Sequence, residues 1–404
     1  MKDAIEANWA DQVRFLKELV RIPSDNPPGD CARHAERTAT LLEDLDYEAE
    51  RHPVPAALVE QHGMKSVENL IVRKRFGAGN GPTIALNAHG DVVPPGDGWT
   101  MDPYGGEEKD GAIYGRGVAV SKSDFATYLF ALKALEAKPD GLDGTIELHL
   151  TYDEEAGGYV GPKWLLDRGL SKPDLAISAG FSYAITTAHN GCLHLEITVR
   201  GRQAHAAMPE SGVDALEAAN TILTALYEER HALGGIESTT PGIGSPKLTV
   251  GLISGGINTN VVPDRVTMRV DRRIIPEENG TEVESRLVHL IETAAHAVPG
   301  AVVECRRIML AEPLRELPGS DRLIEALQTQ ARAVLGVDVN PTGVPLYTDA
   351  RHYTAAGIPT VLYGAGPRSI LEANAHGADE HLQLSDLKAA TEIVAAALGT
   401  LISR

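Results

Sequence analysis

The feature that most restricts the fold is a change in apolar rhythm near Gly191, reversed about 120 residues later. Before Gly191, short apolar runs alternate with helical stripes. Strands are expected near 69–75, 83–88, 145–152 and 174–178. Helices are expected over 5–20, where Trp9, Val13, Leu16 and Leu19 recur at helical spacing, and over 32–46. Another starts near Ser121 with the stripe Phe125, Tyr128, Leu129, Leu132 and Leu135, and one more lies near 162–168. Strands alternating with helices imply a mostly parallel sheet covered by helices. After Gly191 the period becomes two. Leu193, Leu195, Ile197 and Val199 alternate with His194, Glu196, Thr198 and Arg200, as in a strand with one wet face. A helix with Leu216, Ala219, Ile222 and Leu226 follows, then strands at 247–253 and 265–271, a helix with Val283, Leu287 and Ile291, and a strand from Ala301. That order, β-α-β-β-α-β, is ferredoxin-like. The α/β alternation then resumes, with a helix near 321–335, a strand at 359–363 and a last helix at 384–401.

The expected fold is therefore an α/β domain, with a helix-covered, mostly parallel sheet, made of residues 1–190 and 312–404. An α+β ferredoxin-like domain of residues 191–311 is inserted in it. A length of 404 residues agrees with two domains. The net charge of −19 argues against nucleic acid or an anionic membrane surface as the main partner. Cys31, Cys192 and Cys305 are odd in number and far apart, which suggests reduced thiols in a cytoplasmic protein. The first residues carry acids and no apolar core of a signal peptide, and no apolar run is long enough to span a bilayer.

Chemistry concentrates at three places. The apolar run from Thr83 stops at His89-Gly90-Asp91. At the carboxyl end of a strand in an open α/β sheet, such a pair lies where ligands bind. The aspartate can orient one ring nitrogen while the other faces a metal. The strand ending at Tyr152 runs into Asp153-Glu154-Glu155. Adjacent acids suit a metal ligand beside a general base, although an acidic triplet is also an ordinary solvated turn. The third is Ala375-His376-Gly377-Ala378-Asp379-Glu380.

With these residues in view, the chain resembles the co-catalytic zinc aminoacylase family of metallopeptidases, which includes acetylornithine deacetylase, succinyl-diaminopimelate desuccinylase and glutamate carboxypeptidase. The carriers are His89-Gly90-Asp91-Val92-Val93-Pro94, Trp99 with Asp102-Pro103, Tyr114-Gly115-Arg116-Gly117, Asp153-Glu154-Glu155 and Arg200-Gly201-Arg202-Gln203-Ala204-His205. To these are added Gly255-Gly256-Ile257-Asn258-Thr259-Asn260-Val261-Val262-Pro263, Thr348-Asp349-Ala350, and Ala375-His376 with Glu380. The resemblance implies a catalytic α/β domain with an inserted lid. It implies that His89 binds the first metal with Asp91 orienting it, and that Glu155 and His376 bind at the second position. Glu154 would be the general base, and His205, from the lid of a partner subunit, would stabilise the oxyanion. Asn260 and Arg273 would hold the substrate, Arg273 as a carboxylate clamp.

The sequence departs from the family at two ligands. The bridging aspartate, expected two residues before Lys122, is Val120, and a later acid falls on Gly180. Neither residue offers a side-chain donor. One ion rather than two is therefore expected, zinc first, with manganese or cobalt as alternatives. Asp124, one helical turn beyond Val120, is either a replacement ligand or a helix N-terminal acid. His189 is either a ligand or a structural residue at the domain junction. The expected activity is metal-dependent hydrolysis of an amide C–N bond in a small carboxylate-bearing substrate, such as an N-acyl amino acid or dipeptide. The alternatives are a single-metal hydrolase or deaminase for a non-peptide substrate, and a non-catalytic binding homologue. A homodimer through the lid is expected.

Overall fold

A computed structural model describes residues 1–369 and 371–404. The chain divides into two compact units. The first comprises residues 1–187, 316–342 and 348–404, and the second residues 188–315 and 343–347.

In the first unit the sheet has a parallel centre, flanked on one side by the antiparallel strands Glu68–Phe76 and Glu50–Pro53. The strand Thr83–His89 lies between Gly144–Thr151 and Leu175–Ser178 and runs parallel to both. Leu175–Ser178 continues in parallel to Thr360–Leu362. Thr83–His89 is buried at every position after Thr83, the near-continuous apolar character of a strand covered on both faces. The helix Lys122–Glu136 is buried along nearly its whole length, so its apolar surface is wider than one stripe. It packs against Leu384–Leu401, which also packs against Ser320–Leu335. The expected N-terminal helix is broken into Lys2–Ala7 and Trp9–Val20. The break falls at Asn8, which leaves helical dihedrals at φ −101° and ψ 6° and whose Nδ2 shares Ala4 O with its own main-chain N–H, at 2.7 Å. A small sheet pairs His381–Gln383 with Ala112–Tyr114, and so ties the segment after His376 to the Gly-Arg-Gly turn.

The second unit is a four-stranded antiparallel sheet in the order Lys247–Gly255, Arg265–Ile274, Gly191–Arg200, Val302–Ala311. The helices Ala215–Leu233 and Gly280–Ala295 bury one face of it, with Leu193, Leu195, Ile197 and Val199 in that core. Both helices are capped as their sequences ask. Asp214 accepts from Leu216 N at 2.8 Å, and Asn279 from Glu282 N at 3.1 Å. The β-α-β-β-α-β order is the expected one. Among the described residues, no helix is long and apolar enough to cross a membrane.

Candidate metal centre and active site

His89 pairs with Thr151 at the ends of adjacent parallel strands, so the residues after each emerge at the same sheet edge. Asp91 joins the two segments. Its Oδ1 accepts from Glu154 N at 3.2 Å, and its Oδ2 accepts from Glu155 N at 3.1 Å and from Asn26 Nδ2 at 2.9 Å. The ring of His89 is fixed from the same side. Its Nδ1 lies 2.9 Å from Asp91 O and 3.3 Å from Asp91 Oδ1. Both partners are acceptors, so Nδ1 carries a proton. Nε2 then faces Glu154 Oε2 at 3.9 Å. Glu155 Oε1 meets His376 Nε2 at 3.3 Å. Donor atoms of His89, Glu154 and Glu155 all lie within 4.8 Å of one another, and His376 joins this group through Glu155.

The acidic turn is locked from behind. Gly157 O accepts from His352 Nε2 at 2.9 Å and from the Arg351 guanidinium. Gly158 has φ +71°, and a Cβ there would stand 2.2 Å from Asp349 Oδ1, so only glycine fits between the turn and Asp349. Glu380 holds the opposite wall. It accepts from Arg116 Nη1 at 2.6 Å, Gly117 N at 3.1 Å and Ala119 N at 3.0 Å, which sets the loop that carries Val120.

The electrostatics are those of a carboxylate-rich site that suits a cation. Burial pushes the Glu154 carboxyl well above its usual range, and the nearby charges of Glu155, Asp349 and Asp91 add to this against the opposing effect of His89. Burial opposes charging of His89, but Asp91, Glu154 and Glu155 outweigh it and hold the ring well above its ordinary pKa. Burial pushes Asp349 up to about 7. The hydrogen bond to Glu155 raises His376.

The two missing family ligands have local explanations. A Cβ at Gly180 would stand 2.7 Å from Tyr363 N and 2.8 Å from Leu362 C, so backbone occupies the space an acid would need. Val120 is half-buried and offers no donor. Asp124 is fully used elsewhere. Its Oδ1 accepts from Ala365 N at 2.7 Å and the carboxyl also accepts from Gly180 N, while burial raises its pKa to about 7. It is an acid of the helix's first turn, as one of the two readings has it, and there it is a buried support for the chain around Gly180. His189 is buried in the second unit, with Nδ1 2.9 Å from Asn190 O and 3.4 Å from Leu314 N.

His205, Asn260 and Arg273 belong to the second unit. His205 and Asn260 are exposed neighbours, with Ala206 N donating to Asn260 O at 3.0 Å. His205 Nδ1 accepts from Ala207 N at 3.0 Å, which leaves the proton on Nε2. Arg273 lies at the other end of the same sheet. Its Nε donates to Asp271 Oδ1 at 3.0 Å. Arg200 pairs with Arg265 and Cys192 with Arg273, so roughly 27 Å of strand, at about 3.4 Å per residue, separates the two ends. Asn26, Asp349 and Glu380 carry much of the positioning. Nothing in the spacing of the Pro-rich loop around Asn26 signals its role, whereas Asp349 stands in Thr348-Asp349-Ala350 and Glu380 beside Asp379, both among the segments that carry the resemblance.

A carboxylate poised beside a second carboxylate and two imidazoles, at the carboxyl edge of a parallel sheet, is the equipment of a metal-dependent hydrolase. The sequence profile of Peptidase family M20/M25/M40 matches residues 85–400, and the chain belongs to that family. It is a metallohydrolase that acts on C–N amide bonds of small molecules. The succinyl-diaminopimelate desuccinylase of Nitratiruptor sp. is 29% identical over 381 residues, covering 92% of this chain and 96% of the relative. Aminopeptidase PepT of Bacillus cereus has a similar structure, with TM-score 0.74 and 24% identity over 96% of this chain and 98% of that one. The YXEP protein of Bacillus subtilis, described as a dinuclear metal-binding peptidase, gives TM-score 0.69 and 17% identity over 98% and 99%.

Proposed function

We propose that the chain hydrolyses the amide bond of a small carboxylate-bearing substrate, an N-acyl amino acid or a dipeptide, at a centre for one divalent ion. The observation that carries this reading is the paired grip of Asp91 on the amides of Glu154 and Glu155. It aims one glutamate toward His89 and the other toward His376. His89 Nε2 and Glu155 would hold the ion, and His376, which lies outside the cluster of His89, Glu154 and Glu155, would have to shift toward them to complete the donor set, with zinc preferred for such nitrogen and oxygen donors. The chemistry such an ion supplies when bound is Lewis-acid polarisation of a carbonyl and acidification of a water molecule. Glu154 is the general base. Its place beside His89 Nε2 and Glu155 suits accepting a proton from water and passing it to the leaving amine. Arg273, with Nε on Asp271, would offer its two Nη groups to the substrate carboxylate.

His205 Nε2–H is a donor suited to a developing oxyanion. His205 and Asn260 stand at the opposite sheet end from Arg273, which supports a homodimer in which each substrate meets Arg273 of one subunit and His205 and Asn260 of the other. The exposed edge strand Lys247–Gly255, with Leu252 60% and Ile253 51% exposed, is the proposed dimer contact in the lid. The three free cysteines support a reducing, cytoplasmic setting.

The test combines metal analysis of the purified protein with a screen of succinyl-diaminopimelate, N-acyl amino acids and dipeptides. One tightly held equivalent at the hydrolytic centre and chelator-sensitive hydrolysis are expected. Glu154→Ala should lose about 10²–10⁴-fold in kcat while keeping its metal. Activity indifferent to chelators, or near-normal turnover in Glu154→Ala, overturns the assignment.

A further inference from the structure

The strand Gly191–Arg200 has two faces. Leu193, Leu195, Ile197 and Val199 enter the core beneath the helices, which leaves Cys192 and His194 on the opposite face. Across on Arg265–Ile274, Asp271 stands opposite His194 and Arg273 opposite Cys192. Three donor atoms meet there. His194 Nε2 lies 3.1 Å from Cys192 Sγ and 3.0 Å from Asp271 Oδ2, and all three lie within 4.8 Å of one another. Cys192 is fully buried, while His194 and Asp271 remain about one-third exposed.

Both contacts fall on one ring nitrogen. A nitrogen has either one proton or one lone pair to offer. If Nε2–H donates to Asp271, the sulfur is left with at most a weaker share of the same proton. If the lone pair accepts from the thiol, it also faces a carboxylate oxygen. A nucleophile–base–acid relay would instead use the two ring nitrogens separately. One point that serves a sulfur, a nitrogen and an oxygen together is a coordination point. Tetrahedral zinc with bonds of about 2.0–2.3 Å sets its donors roughly 3.3–3.6 Å apart. The two spacings at His194 Nε2 reach that with shifts of a few tenths of an ångström, and the sulfur and the carboxylate oxygen lie within 4.8 Å of each other.

We propose that Cys192 Sγ, His194 Nε2 and Asp271 Oδ2 bind one zinc-class divalent ion, at a site made wholly of second-unit residues and using none of the donors around His89. The thiolate and imidazole select zinc, cobalt or cadmium over magnesium or calcium. Three ligands, two of them partly exposed, leave a fourth position for solvent or an incoming group. Arg273 Nε on Asp271 Oδ1 is the outer hydrogen bond that orients the ligating carboxylate. The inference stands whether or not Arg273 meets a substrate.

The experiment uses the full chain, stripped of metal and loaded with cobalt(II) alone. The donors around His89 are imidazoles and carboxylates, so a thiolate-to-cobalt charge-transfer band in the near ultraviolet reports only a cysteine site. The band is expected in the wild-type protein. It should vanish in Cys192→Ser with the loss of one metal equivalent, and persist in Cys31→Ser and Cys305→Ser. His194→Ala should bind cobalt at this site at least about tenfold more weakly. No band in the wild-type protein, a band that survives Cys192→Ser, or one that follows Cys31 or Cys305 overturns the proposal. If Cys192→Ser does not fold, Asp271→Asn read against the wild-type band decides in its place: weaker cobalt binding supports the site and unchanged binding refutes it.

Discussion

Asp124→Asn separates a structural carboxyl from a metal ligand. The Asp124 carboxyl is fully buried and its pKa is raised by burial from the ordinary 3.8 to about 7. The folded state therefore holds the proton more tightly than the unfolded state. Between about pH 4 and pH 7 the folded chain binds more protons, so this group's contribution to stability falls as pH rises. It is fully present below the unfolded pKa and lost as pH passes the folded one. The interval is close to three pH units, and at about 1.4 kcal/mol per unit it amounts to about 4 kcal/mol, an upper figure. Asparagine keeps one acceptor for the amides of Ala365 and Gly180 and loses the other, at a cost of about 1–3 kcal/mol that does not depend on pH. The readout is the difference in urea-unfolding free energy between wild type and variant, measured at about pH 4.5 and pH 8. Asparagine should gain on the wild type by a few kcal/mol between the two, with metal content unchanged. A difference that stays constant with pH, or a variant that loses its metal, would refute the structural role.

Gly180→Ala puts a Cβ against Tyr363 N and Leu362 C, both backbone atoms that cannot rotate away. A loss of about 1–3 kcal/mol is expected by thermal unfolding, and an unchanged Tm would refute the claim that this space is filled. Gly180→Asp for the same reason should not add a metal equivalent, as metal analysis would report. The pair Leu252→Glu and Ile253→Glu should convert a dimer to a monomer by light scattering and depress turnover with the hydrolytic metal retained. A double variant that keeps its mass and turnover removes the partner role of His205.

Periodicity made the large elements legible because burial imposes it directly. Thr83–His89 and the helix Leu384–Leu401 read as they stand, and so does the ferredoxin-like order. Short strands such as Glu50–Pro53 and Ile185–His189 gave no periodic signal, since four or five residues define none and their neighbours in space are far along the chain. His89, Glu154, Glu155 and His376 were legible as metal-compatible residues at segment ends. Asp124 was not legible as a buried support, because its partners are backbone amides at 180 and 365 that sequence does not distinguish from others. The Asn26 contact to Asp91 escaped for the same reason.

Asp91 has a consequence for how this chain tolerates the loss of ligands. Everything it holds is protein: two main-chain amides, one side-chain amide and an imidazole. Two chemically identical glutamates are told apart by which oxygen of one carboxylate each neighbouring amide hangs from. Their division of labour is thus written in the main chain and survives a change in how many ions are present. A lineage can shed the donors at positions 120 and 180 and still keep a base aimed at the same spot. Inserting one residue between Thr151 and Asp153 would do what losing those donors does not: carry Glu154 into the station of Glu155 and leave the shorter Asp153 where the base should stand.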